Sequence, residues 1–333
     1  MKKLAFVALA IVAVAAVGLA VLMATYRPAQ RPVSAVAAGL APATPAEVMR
    51  GAYLARHVTD CFGCHSQHDW KRWAGPEVGP EGAGGGCMGA DYGVPGQLCI
   101  PNITSDREHG VGAWTDAELL RAIREGVDRD GEALFPMMPY VEYRNLSDED
   151  ARAIVAFLRT LRPIPNDVPE TSLEFPVSFF IKMVPKPLDG PVAAPPDQLG
   201  RGRYLATVAG CRFCHTPVDD HEQPLPGKDF AGGHDLIGYW GKTRSANLTP
   251  DPTGLGSRTR EQFIGQFRAY ANPSAGASPM SPVPAGRNTP MPWLALAGMS
   301  DEDLGAIYDY LRTVPPVANS VDRFPTGDGK AGR

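Results

Sequence analysis

"CFGCHSQHDW", residues 61–70, sets Cys61 and Cys64 three positions apart with His65 directly behind them. That spacing suits three chemistries: a redox dithiol, half of a zinc site, or a covalent attachment point for haem. Each needs a different sequence around it, so the remainder of the chain has to discriminate.

The pattern recurs. "RGAYLARHVTDCFGCH" (50–65) lies over "RGRYLATVAGCRFCH" (201–215), both reading R-G-x-Y-L-A and then C-x-x-C-H. "PNITSD" from Pro101 matches "ANLTPD" from Ala246, and "MPYVEYRNLSDEDARAIVAFLRTL" from Met138 matches "MPWLALAGMSDEDLGAIYDYLRTV" from Met291. Self-similarity on this scale is a tandem duplication. Composition then divides the chain into an apolar N-terminal run (1–26), an Ala/Pro-rich tether (27–45), unit one (46–162), a proline-dense linker (163–200), unit two (201–316) and a tail (317–333). The linker carries an apolar patch, "LEFPVSFFIKMV".

The N-terminal run places the chain in the cell. After Met1-Lys2-Lys3, the stretch Leu4 to Met23 holds twenty residues without a polar side chain, about the length a bilayer-spanning helix needs. "VLMATYRP" offers no A-x-A cleavage site, and the nearest, Ala35-Val36-Ala37, lies far beyond the apolar run. The sequence therefore predicts an uncleaved single transmembrane helix, with Lys2 and Lys3 held inside and all that follows exported. A cleaved leader would export the cysteines equally, and either route puts them in an oxidising compartment. The 36 Gly and 33 Pro among 333 residues suit two small loop-rich domains. A net charge of only −4 gives no footprint for nucleic acid.

Short helices separated by long loops make up each unit. Thr115 with Glu118 is a capping box opening "ELLRAIREG", and Thr259 with Gln262 repeats it. Ser147 and Ser300, each followed by Asp-Glu-Asp, cap "ARAIVAFLRTL" and "LGAIYDYLRTV"; in the first, Ile154, Phe157, Leu158 and Leu161 share one face. No alternating strand runs of comparable length occur, so the predicted fold class is all-α.

With the class in hand, the opening alternatives separate. A thioredoxin-like dithiol expects a βαβ neighbourhood and has no use for a following histidine twice over. A zinc site could draw on Cys61, Cys64, Cys87 and Cys99, but unit two has no counterpart to Cys87 or Cys99. C-x-x-C-H is the attachment signature for c-type haem: Cys61 and Cys64, like Cys211 and Cys214, share one face of a helical turn, and His65 or His215 presents an imidazole to the iron. Two such motifs call for two covalently bound haem c groups. The opposite axial position suits a soft, uncharged ligand, and the repeat selects Met138 and Met291. Met88, Met137, Met183, Met280 and Met299 are read as packing residues. His57, His68, His109, His221 and His234 lack repeat counterparts and are read as surface or loop residues.

Taken together, C-x-x-C-H, N-[IL]-T-x-D, M-P-[YW] and the S-D-E-D helix cap resemble tandem class I cytochrome c domains over about residues 46–316. More narrowly, they resemble the cytochrome c subunits of membrane-bound bacterial dehydrogenases acting on alcohols, aldehydes or sugar acids. Those subunits commonly carry three haems, whereas this chain has two C-x-x-C-H motifs. The resemblance implies a dehydrogenase as electron donor, a terminal oxidase or soluble cytochrome as acceptor, and a bacterial inner-membrane location with the haem domains on the periplasmic side. It also implies that Pro76 and Pro226, each eleven residues past its histidine, offer the imidazole a carbonyl. By the same resemblance Asn102, Thr104, Asn247 and Thr249 sit near haem propionates or the methionine loop, or else form plain turns.

Two cysteines remain. Cys87 and Cys99 fall in a segment peculiar to unit one, and an even remainder in an exported chain predicts a disulfide. The rival is Cys87 as an alternative haem ligand. Function divides in the same way, between a relay of single electrons through two closed irons and a catalytic dihaem enzyme of peroxidase or thiosulfate dehydrogenase type with an open iron. A methionine at the matching place in each unit favours the relay.

Overall fold

The computed structural model describes residues 2–32, 42–220, 222–271 and 287–325. His221, Met280 and the Ala35-Val36-Ala37 site fall outside them. In chain order the helices are α1 (Lys2–Thr25), α2 (Pro45–Tyr53), α3 (Cys61–His65), α4 (Asp116–Glu125), α5 (Tyr140–Tyr143), α6 (Asp148–Leu158), α7 (Val177–Phe180), α8 (Gln198–Val208), α9 (Cys211–His215), α10 (Arg260–Arg268), α11 (Trp293–Leu296) and α12 (Asp301–Leu311).

Local chemistry sets the helix starts. Thr44, Thr115 and Thr259 each close a reciprocal capping box, with Glu47, Glu118 and Gln262 reaching back to the cap. The Ser147 and Ser300 hydroxyls accept from the backbone N–H of Asp150 and Asp303. Three acidic residues follow each of these serines, where the positive end of the helix dipole favours them.

Within each unit the first helix crosses the last at close range, α2 on α6 and α8 on α12. The glycine of R-G-x-Y makes this possible: a Cβ on Gly51 would stand 1.8 Å from Ala153 O, and one on Gly202 would stand 1.9 Å from Ala306 O. The preceding arginine ties the same pair of helices, Arg50 Nε to Asp150 at 2.8 Å and Arg201 Nε to Asp303 at 2.5 Å.

The tyrosine of the motif does the opposite and leaves its own unit. Tyr53 Oη donates to Asp303 Oδ2 of unit two at 2.6 Å, and Tyr204 Oη donates to Asp150 Oδ2 of unit one at 2.6 Å. Each hydroxyl also accepts from the facing cap, Ser300 N at 3.1 Å and Ser147 N at 3.3 Å. The exchange is reciprocal, and apolar packing follows it. Leu54, Phe62, Leu146 and Ile154 of unit one share one core with Leu205, Met299, Leu304 and Leu311 of unit two.

Two expectations need correction. The class is not all-α, because the loops carry small antiparallel sheets: β1 (Gln67–His68) with β2 (Glu77–Val78), β3 (Cys87–Met88) with β4 (Gly96–Cys99) and β5 (Ser172–Leu173), and β6 (Asp235–Gly238) with β7 (Gly241–Arg244). Pieces of two to four residues satisfy loop backbone groups by pairing, but they are too short to print an alternating pattern. The expected transmembrane helix is also not retained. The N-terminal run is helical as α1, yet among the described residues no helix is long and apolar enough to cross a membrane.

Cys87 and Cys99 stand opposite each other in the β3–β4 ladder and form a disulfide, with Cα atoms 4.0 Å apart. Cys87 is thereby removed as an iron ligand, and the four-cysteine zinc alternative goes with it. The linker pairs its β5 residues with β4, while Phe179 of its apolar patch meets Tyr26 with ring centroids 5.9 Å apart. Phe175, Phe180 and Met183 remain exposed.

Because the cross-unit hydroxyls meet buried carboxylates, Tyr53→Phe and Tyr204→Phe should each cost about 1.5–3 kcal/mol of stability. Denaturant melts of the two single variants and the double variant check this. Equal costs for the singles are expected from the reciprocal geometry, and two intact wild-type curves would contradict it.

Candidate functional site

α3 and α9 are the same object built twice. Each is a five-residue turn entered through a left-handed residue, Asp60 (φ 47°) in unit one and Gly210 (φ 69°) in unit two. Aspartate is among the few non-glycine residues that adopt this conformation readily. The turn places Cys61 beside Cys64, and Cys211 beside Cys214, one helical step apart on one face. Desolvation of the sulfurs keeps all four thiols neutral, pushing Cys61 and Cys214 up to about 11 and Cys64 and Cys211 up to about 12, although residue Cys64 as a whole is exposed and the other three are half-buried.

Each turn ends on its histidine. His65 Nδ1 lies 2.7 Å from Pro101 O, and His215 Nδ1 lies 2.7 Å from Ala246 O. A carbonyl can only accept, so the proton sits on Nδ1 and Nε2 carries the free lone pair that a metal takes. Burial lowers both imidazole pKa values, against the opposing carbonyl contact, and so keeps the rings in the neutral, ligating form.

These carbonyls correct the proline assignment. The group facing His65 belongs to Pro101 rather than Pro76, whose carbonyl accepts instead from Asp69 N at 3.0 Å. In unit two it belongs to Ala246 rather than Pro226. Pro101 and Ala246 are the residues directly before the N-x-T motif, which gives that motif a role. Asn102 Oδ1 accepts from Thr104 N (2.9 Å) and Thr104 Oγ1 (2.7 Å), while its Nδ2 donates to Ile164 O at 2.8 Å. Asn247 accepts from Thr249 N (2.9 Å) and Oγ1 (2.8 Å) and donates to Val317 O at 2.8 Å. Both asparagines and threonines are buried. Each asparagine thus pins its loop to the segment after the unit's last helix and fixes the preceding carbonyl against the histidine.

The methionine arms also match. Tyr140 N donates to Met138 O at 2.8 Å and Trp293 N to Met291 O at 2.7 Å, each across a proline of similar backbone, Pro139 (φ −81°, ψ 49°) and Pro292 (φ −78°, ψ 58°). The tight turns lead into α5 and α11. Met138 and Met291 are both partly buried against the shared core, whereas Met137 is exposed. Met88 and Met299 are buried in packing, and Met183 is exposed.

The remaining histidines have other partners. His68 faces the carbonyls of Gly75 and Phe62, His109 lies 3.7 Å from Asp167, and His234 lies 3.5 Å from Glu222. His57 reaches into unit two, with Nδ1 3.0 Å from Ala295 O. Sequence reading passed over that contact. Its signal was an arithmetic one: seven steps separate Leu54 from Cys61, but only six separate Leu205 from Cys211.

The donor set fits haem c. Each unit offers two thiols on one turn, a neutral imidazole with Nδ1 engaged, and a thioether on a conserved-geometry arm. In unit one, Tyr140 Oη is buried without a partner two residues beyond Met138, an unsatisfied donor of the kind a bound polar group accepts from. Among the described residues no group of three or more His, Cys, Asp and Glu side chains could hold a bare metal ion.

Residues 48–162 match the model of the cytochrome c family. They are a cytochrome c domain. The cytochrome c subunit of the quinone alcohol dehydrogenase of Gluconacetobacter polyoxogenes is 32% identical over 299 residues, covering 85% of this chain and 59% of that protein. The fructose dehydrogenase cytochrome subunit of Gluconobacter japonicus is 30% identical over 288 residues, covering 82% and 54%. A dihaem c-type cytochrome of Cereibacter sphaeroides is 29% identical over 266 residues, covering 77% and 82%. The chain thus spans less than two thirds of the two dehydrogenase subunits. Cytochrome c domains carry covalently bound haem c, and Cys61, Cys64 and His65 are the residues of this domain that would hold it.

Removing the loop anchor should be costly and local. Asn102→Ala should destabilise the protein by about 2–4 kcal/mol, since a buried side chain loses several hydrogen bonds at once. It should also raise the potential of the first haem, because a histidine whose carbonyl partner is loosened donates less strongly and stabilises the oxidised iron less. Thermal melts with a redox titration test this; an unchanged potential in a destabilised protein would confine Asn102 to a packing role.

Proposed function

We propose that the chain is a dihaem c-type cytochrome that relays single electrons from a dehydrogenase toward the respiratory chain. The observation that carries this reading is the pairing of two equivalent sites in one body. Each has its C-x-x-C-H turn, its engaged histidine and its Met-Pro arm. The shared core and the reciprocal Tyr53–Asp303 and Tyr204–Asp150 bonds hold the two sites in that body. The names of the similar dehydrogenase subunits support the choice of donor.

Haem c supplies the one-electron iron couple, and the protein supplies what tunes it. Cys61 and Cys64, or Cys211 and Cys214, hold the ring covalently. His65 and His215 offer Nε2, held in place by Pro101 O and Ala246 O. Met138 and Met291 offer a soft sulfur, which favours the reduced iron and raises the potential. Little in the chain has to move as charge passes, because the shared core and the Tyr–Asp exchange hold both sites rigidly. An oxidising extracytoplasmic compartment suits this reading and accords with the Cys87–Cys99 disulfide. The acceptor is a terminal oxidase or a soluble cytochrome.

Ligand substitution tests the reading. The purified protein should show two low-spin haems, both accounted for by the weak sulfur-to-iron(III) charge-transfer band. Met138→Ala and Met291→Ala should each open one iron to carbon monoxide without releasing its haem, while Met137→Ala should do neither. A native high-spin haem with turnover of peroxide or thiosulfate would replace the relay with the catalytic alternative.

A further inference from the structure

The two units differ by one residue in the stretch before the first cysteine, and the structure absorbs that residue as a π turn, Leu54–Val58, closed by Thr59 N donating to Leu54 O at 2.8 Å. Single π turns are uncommon and tend to occur at functional places. Here the turn presents His57 to unit two. Its Nδ1 lies 3.0 Å from Ala295 O, the carbonyl four residues beyond Met291 in α11. The acceptor is a carbonyl, so the imidazole donates. The slot for the ring depends on Gly298: a Cβ there would stand 2.1 Å from His57 Nδ1. Tyr53 meets the ring edge-on, with centroids 6.0 Å apart.

Unit one closes the equivalent arm without help. Aligning Met138 with Met291 sets Glu142 opposite Ala295 and Asn145 opposite Gly298. Asn145 Nδ2 donates to Glu142 O at 3.0 Å, the same carbonyl position at the same distance. On the facing helix of unit two, Thr207 Oγ1 turns back to its own Arg203 O at 2.9 Å. One arm is therefore closed by its own asparagine. The other has a glycine at that place: Gly298 N donates to Ala295 O at 3.0 Å, as Asn145 N does to Glu142 O at 3.1 Å, but the side-chain donor comes from His57 across the unit boundary.

We propose that His57 is a positioning residue for the distal ligand of the second haem: it fastens the Met291 arm from unit one. The inference rests on the reading of Met291 as that ligand. α11 has only four residues and cannot hold itself. Arg268 grips the following stretch from one side, donating to Ala297 O and Met299 O at 2.5 Å each, and His57 closes it from the other. The Met291 arm is thereby tied to unit one at its Ala295 carbonyl, whereas the matching carbonyl of the Met138 arm takes its side-chain donor from its own unit.

Potentiometric titration of the full, haem-loaded chain, read through the charge-transfer band and carbon monoxide binding, tests this. Met138→Ala and Met291→Ala assign each wave to its haem. His57→Ala should lower the potential of the second haem alone and raise its sulfur-dissociated fraction about five- to tenfold, the worth of one hydrogen bond. Gly298→Ala should have the same effect with His57 still present, by displacing the ring. His57→Ala combined with Gly298→Asn should restore the wild-type wave by copying the closure of unit one. A silent His57→Ala, an equal shift of both haems, or no restoration by the double variant would each overturn the proposal while leaving the relay intact. If Met291→Ala left the second iron closed, the ligand reading itself would fall, and this inference with it.

Discussion

Two buried carboxylates, Asp150 and Asp303, organise the molecule. Each begins the last helix of its unit, accepts an arginine from its own first helix, and accepts a tyrosine hydroxyl from the other unit. An ionised carboxylate withdrawn from water is expensive unless its lone pairs are filled, and here one donor comes from each unit. Satisfying either aspartate therefore requires both units to be folded and docked. Burial, together with the bond to Asp303, accordingly holds the Tyr53 hydroxyl above its ordinary pKa, keeping it a donor.

The same docking brings the sites together. The helices that carry R-G-x-Y run directly into the cysteine turns, so the registry set by the Tyr–Asp exchange is passed along rigid backbone to Cys64 and Cys214. The arms bearing the methionines complete the contact, α5 lying by α8 and α11 by the π turn. Near-symmetry extends through caps, glycines, arginines, histidine carbonyls and methionine turns. It breaks at the π turn with His57 and at the disulfide hairpin, both belonging to unit one.

The N-x-T motif shows how a conserved-looking string can hide its purpose. Its side chains point away from the imidazoles, into the chain that follows each unit's last helix. What they contribute to the site is the position of the carbonyl before them. Proline spacing suggested Pro76 and Pro226 for that task because the two intervals are equal, but equal spacing along a chain says nothing about which carbonyl a folded loop turns inward.

The sequence by itself determined everything that depends on a few neighbouring residues: the duplication, the helix caps, the two C-x-x-C-H turns and the pairing of Cys87 with Cys99 as the cysteines left over. These follow from local geometry, in which side chains three or four positions apart must meet. It misjudged the loops, where hairpins of two to four residues leave no periodic trace, and it took the N-terminal run for a transmembrane helix. Only the tertiary structure decided which carbonyl orients each histidine, which unit each tyrosine serves, and where the one extra residue of unit one goes. Those contacts join positions tens to hundreds of residues apart, His57 to Ala295 and Tyr53 to Asp303 among them, and their partners are chosen by packing rather than by spacing along the chain.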